Sequence, residues 1–106
     1  MNPSHRSPCP IARTLDLVGD KWTLLILRDA LVFKAKSFAE FEQSPEKIPA
    51  SLLADRLKRL VETGFLTKVP YQEKPVRYHY VATEKAKAMR PVIQAMKKFG
   101  ETQLER

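Results

Sequence analysis

The sequence is poor in cysteine and glycine, and it has no long hydrophobic run. Its single cysteine, Cys9, excludes an intramolecular disulfide framework and any cysteine-rich zinc site. With three glycines in total, it offers no glycine-rich loop for a nucleotide phosphate. The longest apolar stretch, residues 22–27, falls far short of the roughly 18 residues that a membrane-spanning helix needs. We therefore expect no transmembrane segment.

Motifs for catalysis and for metal binding are missing as well. His5 and His79 lie far apart in the sequence and have no neighbouring ligands, so no metal site is expected. No Ser-His-Asp set or carboxylate pair is recognisable, and we expect neither an enzyme nor a bound cofactor. Residues 1–10 carry three prolines and no apolar stretch, which is unlike a signal peptide and makes a cytoplasmic location the default.

The 106 residues weigh 12.2 kDa, are 43% hydrophobic and suit one compact domain, 1–106. Their formal charge is +7, and it is unevenly distributed. Residues 47–98 hold 12 Lys and Arg against 4 Asp and Glu, so this part carries +8 and the remainder −1. An acidic partner is therefore expected to meet the second half of the chain, and it could be nucleic acid, an anionic membrane or an acidic protein.

Two helices are predicted in the first third of the chain. An apolar stripe predicts a short helix over residues 10–18, with Pro10 in its first turn; its members are Ile11, Leu15 and Val18. Asp20 is a suitable cap for a second helix, from Lys21 to about Val32. That segment is apolar nearly all round, which predicts a central, buried element, and its length favours a helix over a strand.

A helix-turn-helix is predicted over about residues 37–63. Ser37 and Glu40 have the spacing of a capping box, which marks a helix start. Two prolines in residues 44–49 predict a turn. A longer helix follows and ends near Gly64, with an apolar face made by Leu53, Leu57, Leu60 and Val61.

A β-hairpin and a long helix complete the predicted fold. Residues 65–71 and 76–81 are rich in β-branched and aromatic side chains, and the loop between them is Gln72–Pro75. A hairpin after a helix pair is typical of a winged helix, with the wing over about 65–81. The last helix, about 83–104, has an apolar stripe longer than a fold of this size needs for itself. Its lysines 85, 87, 97 and 98 are expected on a solvated face.

Five segments resemble the HxlR-type winged helix-turn-helix regulators, over roughly residues 9–100. In order they are CPI (9–11), LDLVGDKWTLLILRD (15–29), LADRLKRLVETG (53–64), PYQEKPVR (70–77) and YVATEK (80–85). The resemblance implies a mainly α fold with a small β-hairpin and a homodimeric bacterial transcription regulator. The N- and C-terminal helices would form the dimer interface, behind an N-terminal arm of residues 1–9. Double-stranded DNA with an inverted-repeat operator would be the partner, a small-molecule effector is a further candidate, and no membrane is involved.

The candidate DNA-binding residues lie at the start of the helix-turn-helix, on its second helix and on the wing. They are Lys34, Lys36, Ser37, Ala50, Ser51, Leu52, Asp55, Arg56, Gln72, Lys74 and Arg77. Several have a structural alternative. Ser51 could cap the helix, and Leu52 could pack in the core instead of meeting a thymine methyl. Asp55 could form an ion pair with Arg59, four positions later, or with the nearby Lys58. Arg56 could reach phosphate or form an ion pair with Glu40 or Asp29.

Candidate dimer residues are apolar and lie on the outer helices: Ile11, Leu15, Trp22, Met89, Val92, Ile93, Met96 and Phe99. Cys9 is a candidate redox sensor, because nearby Arg6, Arg13 and a helix N-terminus favour its thiolate; an inert cysteine is the alternative. The sequence departs from the family pattern at Pro49 and Ala50, which leaves the second helix poor in base-specific donors. This departure keeps a second interpretation open, a winged-helix module that binds an acidic protein.

Overall fold

The computed structural model describes residues 7–104, and within them the chain forms six helices and one antiparallel hairpin. The predicted fold class, mainly helical with a small hairpin, is confirmed. In chain order the elements are α1 (Pro10–Val18), α2 (Thr23–Leu31), α3 (Phe38–Phe41), α4 (Ala50–Glu62), β1 (Leu66–Glu73), β2 (Val76–Ala82), α5 (Glu84–Lys87) and α6 (Arg90–Gln103).

Asp20 determines where α2 begins. Its Oδ2 accepts hydrogen bonds from the amides of Trp22 at 3.0 Å and Thr23 at 3.2 Å, and its Oδ1 accepts from the Thr23 hydroxyl. The capping role of Asp20 is thus confirmed, but the predicted start at Lys21 is wrong. Residues 21 and 22 form the capping turn, because a carboxylate satisfies amides two and three positions after it. The helix is central as predicted, with Ile26 and Leu27 fully buried.

The predicted capping box at the start of α3 is present. Ser37 Oγ accepts from the Glu40 amide at 3.2 Å, and Glu40 Oε1 accepts from the Ser37 amide at 3.1 Å. The end of α4 also follows the prediction. Gly64 has a φ of +85°, and the amide of Phe65 donates to the Leu60 carbonyl at 2.8 Å. Glycine adopts this left-handed conformation without steric cost, so it turns the chain sharply from α4 into the hairpin.

The hairpin is longer than predicted. Gln72 pairs with Arg77 and Glu73 with Val76, so the loop contains only Lys74 and Pro75. The register shifts between Pro70 and Gln72. The wing is also attached to the entrance of α3. The Tyr80 amide donates to the Lys36 carbonyl at 2.7 Å, and Ser37 forms an isolated antiparallel β-bridge with His79. This attachment fixes the base of the wing against the helix-turn-helix.

The C-terminal segment is two helices, and the prediction of one continuous helix from residue 83 is wrong. It breaks at Ala88 and Met89, between α5 and α6. Pro91 explains the break, because proline has no amide hydrogen to bond the carbonyl of Lys87. A proline is instead well accommodated in the first turn of a new helix, which is its position in α6.

One hydrophobic core holds these elements together. Its fully buried side chains come from α1, α2, α3, α4 and the start of β1: Val18, Ile26, Leu27, Phe41, Leu53, Leu57 and Leu66. Phe41 also meets Tyr80 of the wing edge to face, with ring centroids 6.3 Å apart. Phe41 thus faces inward, and Phe38 packs half-buried at the edge of the core. Helix α4 is therefore anchored by its apolar face, with its opposite face open.

Candidate nucleic-acid interface

The turn between α3 and α4 is anchored to α2 by Arg28. Its guanidinium binds both carboxylate oxygens of Glu46, at 2.8 and 2.7 Å, and also Asp29 Oδ1 at 2.7 Å. Ser44 Oγ donates to the same Glu46 carboxylate at 2.9 Å. Arg28 holds the pKa of Glu46 well below its usual value, at about 2. These contacts tie the turn to α2, and no sequence pattern pointed to the pairing of Arg28 with Glu46.

The outer face of α4 is polar and exposed. Its exposed residues are Ala50, Ser51, Ala54, Asp55, Lys58, Arg59 and Glu62. Leu52 is half-buried and packs against the core, which agrees with the interpretation of this residue as a packing residue for part of its surface. Pro49 precedes the helix and provides no side-chain cap, which leaves the first-turn amides of α4 without a side-chain acceptor. Such amides attract anions.

Arg56 is held by two carboxylates. Its Nε donates to Asp20 Oδ2 at 2.9 Å, and its Nη1 donates to Asp55 Oδ2 at 2.5 Å. The predicted ion-pair partners Glu40 and Asp29 are wrong, because Arg56 extends from α4 toward the α1–α2 junction. Hydrogen bonds from Thr23, Arg56 and Trp22 outweigh partial burial and lower the pKa of Asp20 to about 2. Asp55 thus pairs with Arg56 and not with the predicted Arg59 or Lys58, which brings two candidate residues into one cluster.

Lys34, Lys36 and Ser37 lie on the segment that enters α3. Both lysines are exposed, and Lys34 has a left-handed φ of 62°. The Lys36 amide donates to Glu40 Oε1 at 2.7 Å. The hydrogen bonds from the Ser37 and Lys36 amides lower the pKa of the Glu40 carboxyl. The backbone of the segment is therefore fixed by the capping box and the wing, while the lysine side chains remain exposed.

The wing presents the remaining candidates. Lys74 and Arg77 are exposed, whereas the Gln72 side chain donates to the Pro75 carbonyl at 3.0 Å and closes the loop. Arg77 and Ser37 line a common groove of about 250 Å³ between α3 and the hairpin. At the rim of the wing, the rings of Tyr71 and His79 stack with centroids 4.1 Å apart. The structure therefore brings the wing arginine close to the start of the helix-turn-helix.

Lysine 85 is exposed, as predicted, but its side chain also makes contacts within the chain. Its Nζ donates to the Thr63 carbonyl at 2.6 Å and lies 4.8 Å from the centroid of the Phe65 ring. A cation at this position satisfies a free carbonyl at the C-terminus of α4. One of the basic residues in the second half of the chain, Lys85, therefore stabilises the C-terminus of α4.

The candidate dimer residues divide into two groups. Four of them border a largely apolar groove of about 530 Å³ between α1 and α6: Ile11, Leu15, Val92 and Met96. Phe99 is exposed further along α6. Met89 is only 8% exposed and belongs to the core, against which Trp22 and Ile93 pack. The exposed group forms a face that the described part of the chain leaves uncovered.

Cys9 is exposed and immediately precedes α1. Backbone hydrogen bonds from Ala12 and Ile11 lower the pKa of its thiol below the usual value. The helix N-terminus thus contributes to this shift, and Arg6 lies outside the described residues. Over residues 7–104, no group of three or more His, Cys, Asp or Glu side chains could hold a metal ion. No helix in that range is long and apolar enough to cross a membrane.

Comparison with known proteins gives the same architecture. The crystal structure of PA1607 has a TM-score of 0.82 with this chain, at 37% identity, and the match covers 95% of this chain and 69% of that one. The redox regulator HypR in its reduced form has a TM-score of 0.75 at 28% identity, covering 89% and 92%. These solved structures share the predicted winged helix-turn-helix arrangement.

Sequence relatives are helix-turn-helix regulators. One from Mycobacterium bovis is 38% identical over 96 residues, which is 91% of this chain and 60% of that protein. The chain therefore spans less than two thirds of this relative's length. A sequence model described as HxlR-like helix-turn-helix matches residues 17–106. Since that match includes both helices of the motif, the wing and α6, the chain belongs to the HxlR-like helix-turn-helix family of transcriptional regulators, as its sequence predicted.

Proposed function

We propose that the chain acts as a dimeric, sequence-specific DNA-binding regulator in the cytoplasm, with α4 in the major groove and the wing on the adjacent backbone. The observation that carries the proposal is the attachment of the wing to the entrance of α3, through Lys36 and Tyr80 at 2.7 Å. This bond ties two separate exposed polar surfaces into one rigid unit. Their basic side chains suit a partner whose charge is regularly spaced.

Each part of the surface has its own role in this proposal. Ala50, Ser51, Leu52 and Asp55 face the bases, because the first turns of a recognition helix approach base edges. Lys34, Lys36, Lys74 and Arg77 contact phosphates, supported by their position on the entrance segment and the wing. Ser37 and Gln72 hold the backbone of those two segments in place.

Dimerisation is supported by the exposed apolar face of α1 and α6. A face that includes Ile11, Leu15 and Met96 is costly to leave in water, and a second copy would bury it. Two copies related by twofold symmetry present two recognition helices. Their operator is then an inverted repeat whose half-sites lie about 34 Å, or a multiple of it, apart.

Regulation through Cys9 is part of the same proposal. The exposed thiol, its lowered pKa and its place at the start of α1 support a thiolate that reacts with oxidants or electrophiles. The similar structure of the redox regulator HypR adds support. With one cysteine in the chain, the products available are a bridge between two copies, a mixed disulfide or an adduct. A Cys9→Ser variant should bind DNA equally well before and after diamide treatment, whereas the wild type should change.

The proposal is tested by selecting bound sequences from random double-stranded DNA. An enriched inverted repeat supports it, and sequence-blind binding would contradict it. On the selected site, Arg77→Ala should weaken binding and reduce the slope of log K against log salt by about 0.9, the value for one phosphate contact. Lys87→Ala removes an exposed charge from α5 and serves as the matched control. An unchanged slope in Arg77→Ala would remove Arg77 from the interface.

A second candidate is a winged-helix module that binds an acidic protein. It is favoured by the N-terminus of α4, where Pro49 gives no side-chain cap and Ala50 offers no side-chain donor. In the same selection, no sequence would be enriched, and heparin would compete for all binding.

A further inference from the structure

Arg56 connects the recognition helix to the junction between α1 and α2. The bond from its Nε to Asp20 Oδ2, at 2.9 Å, joins residues that are 36 positions apart in the sequence. A second bond, from Nη1 to Asp55 at 2.5 Å, stays on α4. The Arg56 side chain is only 17% exposed, although it belongs to a helix whose outer face is open. A continuous hydrogen-bonded network therefore leads from the α1–α2 junction to the outer face of α4, through Asp20, Arg56 and Asp55.

This geometry suits Arg56 poorly as a phosphate contact. The guanidinium lies between two carboxylates, so the three side chains together carry one negative charge. A phosphate that approached Arg56 would have to displace one carboxylate and lose its charge-assisted hydrogen bond. The partial burial of Arg56 also restricts its reach. The side chain is thus better placed to hold Asp55 than to clamp DNA.

We infer that Asp20 is a positioning residue for base recognition: it fixes Arg56, and Arg56 in turn orients the Asp55 carboxylate on the outer face of α4. This inference rests on the proposed function. Asp55 is exposed and bears the acceptor oxygens that pair with the amine of cytosine. A carboxylate whose direction is fixed by an arginine discriminates between bases better than a freely rotating one, because less side-chain entropy is lost on binding.

Asp20 has two roles that one substitution can separate. Its carboxylate also accepts the amides of Trp22 and Thr23 and so caps α2. Asparagine caps helices as well as aspartate does, because its side-chain oxygen is still an acceptor. Asp20→Asn therefore keeps an acceptor for α2 and removes one of the two negative charges that hold Arg56. Glu62→Gln is the matched control, since it removes an exposed carboxylate from α4 without affecting the contacts among Asp20, Arg56 and Asp55.

The experiment compares sequence selection and salt dependence for wild type, Asp20→Asn, Arg56→Gln, the double variant and Glu62→Gln. In Asp20→Asn, the preference at one base pair of each half-site should fall about tenfold, as expected for a lost direct contact. The salt slope should stay near the wild-type value, because Arg56 keeps its hydrogen bond to Asp55 and remains partly buried. Glu62→Gln should keep the wild-type preference at that base pair.

The double variant identifies the route of the effect. If Asp20 acts through Arg56, Asp20→Asn adds no further loss of preference in the Arg56→Gln background. The inference is overturned if Asp20→Asn keeps the wild-type preference at that base pair, or if its loss of preference adds fully to that of Arg56→Gln. If Asp20→Asn does not fold, Arg56→Gln removes the same link between Asp20 and Asp55 from the α4 side. It must then lower the preference at the same base pair. If the wild type selects no sequence, the proposed function fails and this inference fails with it.

Discussion

Helices α4 and α6 are of similar length but are stabilised in different ways. Over 13 residues, α4 buries Leu53, Leu57 and Leu60 and presents an exposed polar face. Over 14 residues, α6 has no buried residue, and Phe99 is 60% exposed. Both helices have a strong apolar stripe in the sequence, but that of α4 is buried by its own chain, whereas most of that of α6 beyond Ile93 stays exposed. An apolar stripe therefore predicts a contact without telling whether the same chain supplies it.

The two helices thus have different physical requirements. The position of α4 is determined by the core, by Arg28 through the turn and by Arg56 through Asp20. The position of α6 beyond Ile93 depends on what covers Met96 and Phe99. Substitutions on α4 should therefore change the stability of the single folded chain, whereas the effects of substitutions on α6 should vary with protein concentration.

The largest expected effect is the loss of a core leucine from α4. Leu57 is 1% exposed, and Leu57→Ala should lower the free energy of unfolding by ~2–5 kcal/mol through lost burial and a cavity. Chemical denaturation followed by circular dichroism measures this value, and it should exceed any effect of a single substitution on α6. A loss below about 1 kcal/mol would mean that α4 is not anchored by this core.

A smaller and different effect is expected on α6. Met96→Asp places a charge on the exposed apolar face, which should dissociate the proposed dimer while leaving the helices folded. Sedimentation equilibrium should give the mass of one chain for the variant and of two for the wild type. Gln94→Asp, an exposed position on the same helix and outside the α1–α6 groove, is the control. A wild type that stays monomeric at high concentration would contradict the interpretation of this face.

Local chemistry made much of the fold predictable. The Ser37 capping box, the Asp20 cap and the Gly64 turn each depend on residues a few positions apart, and each was found as expected. The break before α6 was also open to prediction, because Pro91 is a clear local signal against a continuous helix. The end of the hairpin was harder, since β propensity does not determine where a two-residue loop lies.

The candidate site was less predictable, because its geometry depends on distant pairs. Arg28 meets Glu46 across 18 positions and Arg56 meets Asp20 across 36. Hydrophobic periodicity tells which face of a helix is inward, but it does not tell which carboxylate an arginine will reach. The same limit applies to Lys85, which caps α4 after a turn and two strands. Arg56 was a candidate for DNA contact and Lys85 was expected on a solvated face, but in the folded chain both, like Arg28, form contacts that support it.

The smallest expected effect concerns the turn that supports α4, and it appears only in acid. Arg28 lowers the pKa of Glu46 from 4.5 to about 2 in the folded chain, so the folded state favours the charged carboxylate. This contribution to stability is complete above pH 4.5 and is lost as the pH falls from 4.5 toward 2. Glu46→Gln should cost about 1 kcal/mol or less at pH 7, because the pair is partly exposed. The difference from wild type should shrink toward zero near pH 2, as measured by thermal unfolding across this range. Glu42→Gln, which removes an exposed carboxylate close to the same turn, is the control, and an equal pH dependence in both variants would exclude Arg28 as the anchor.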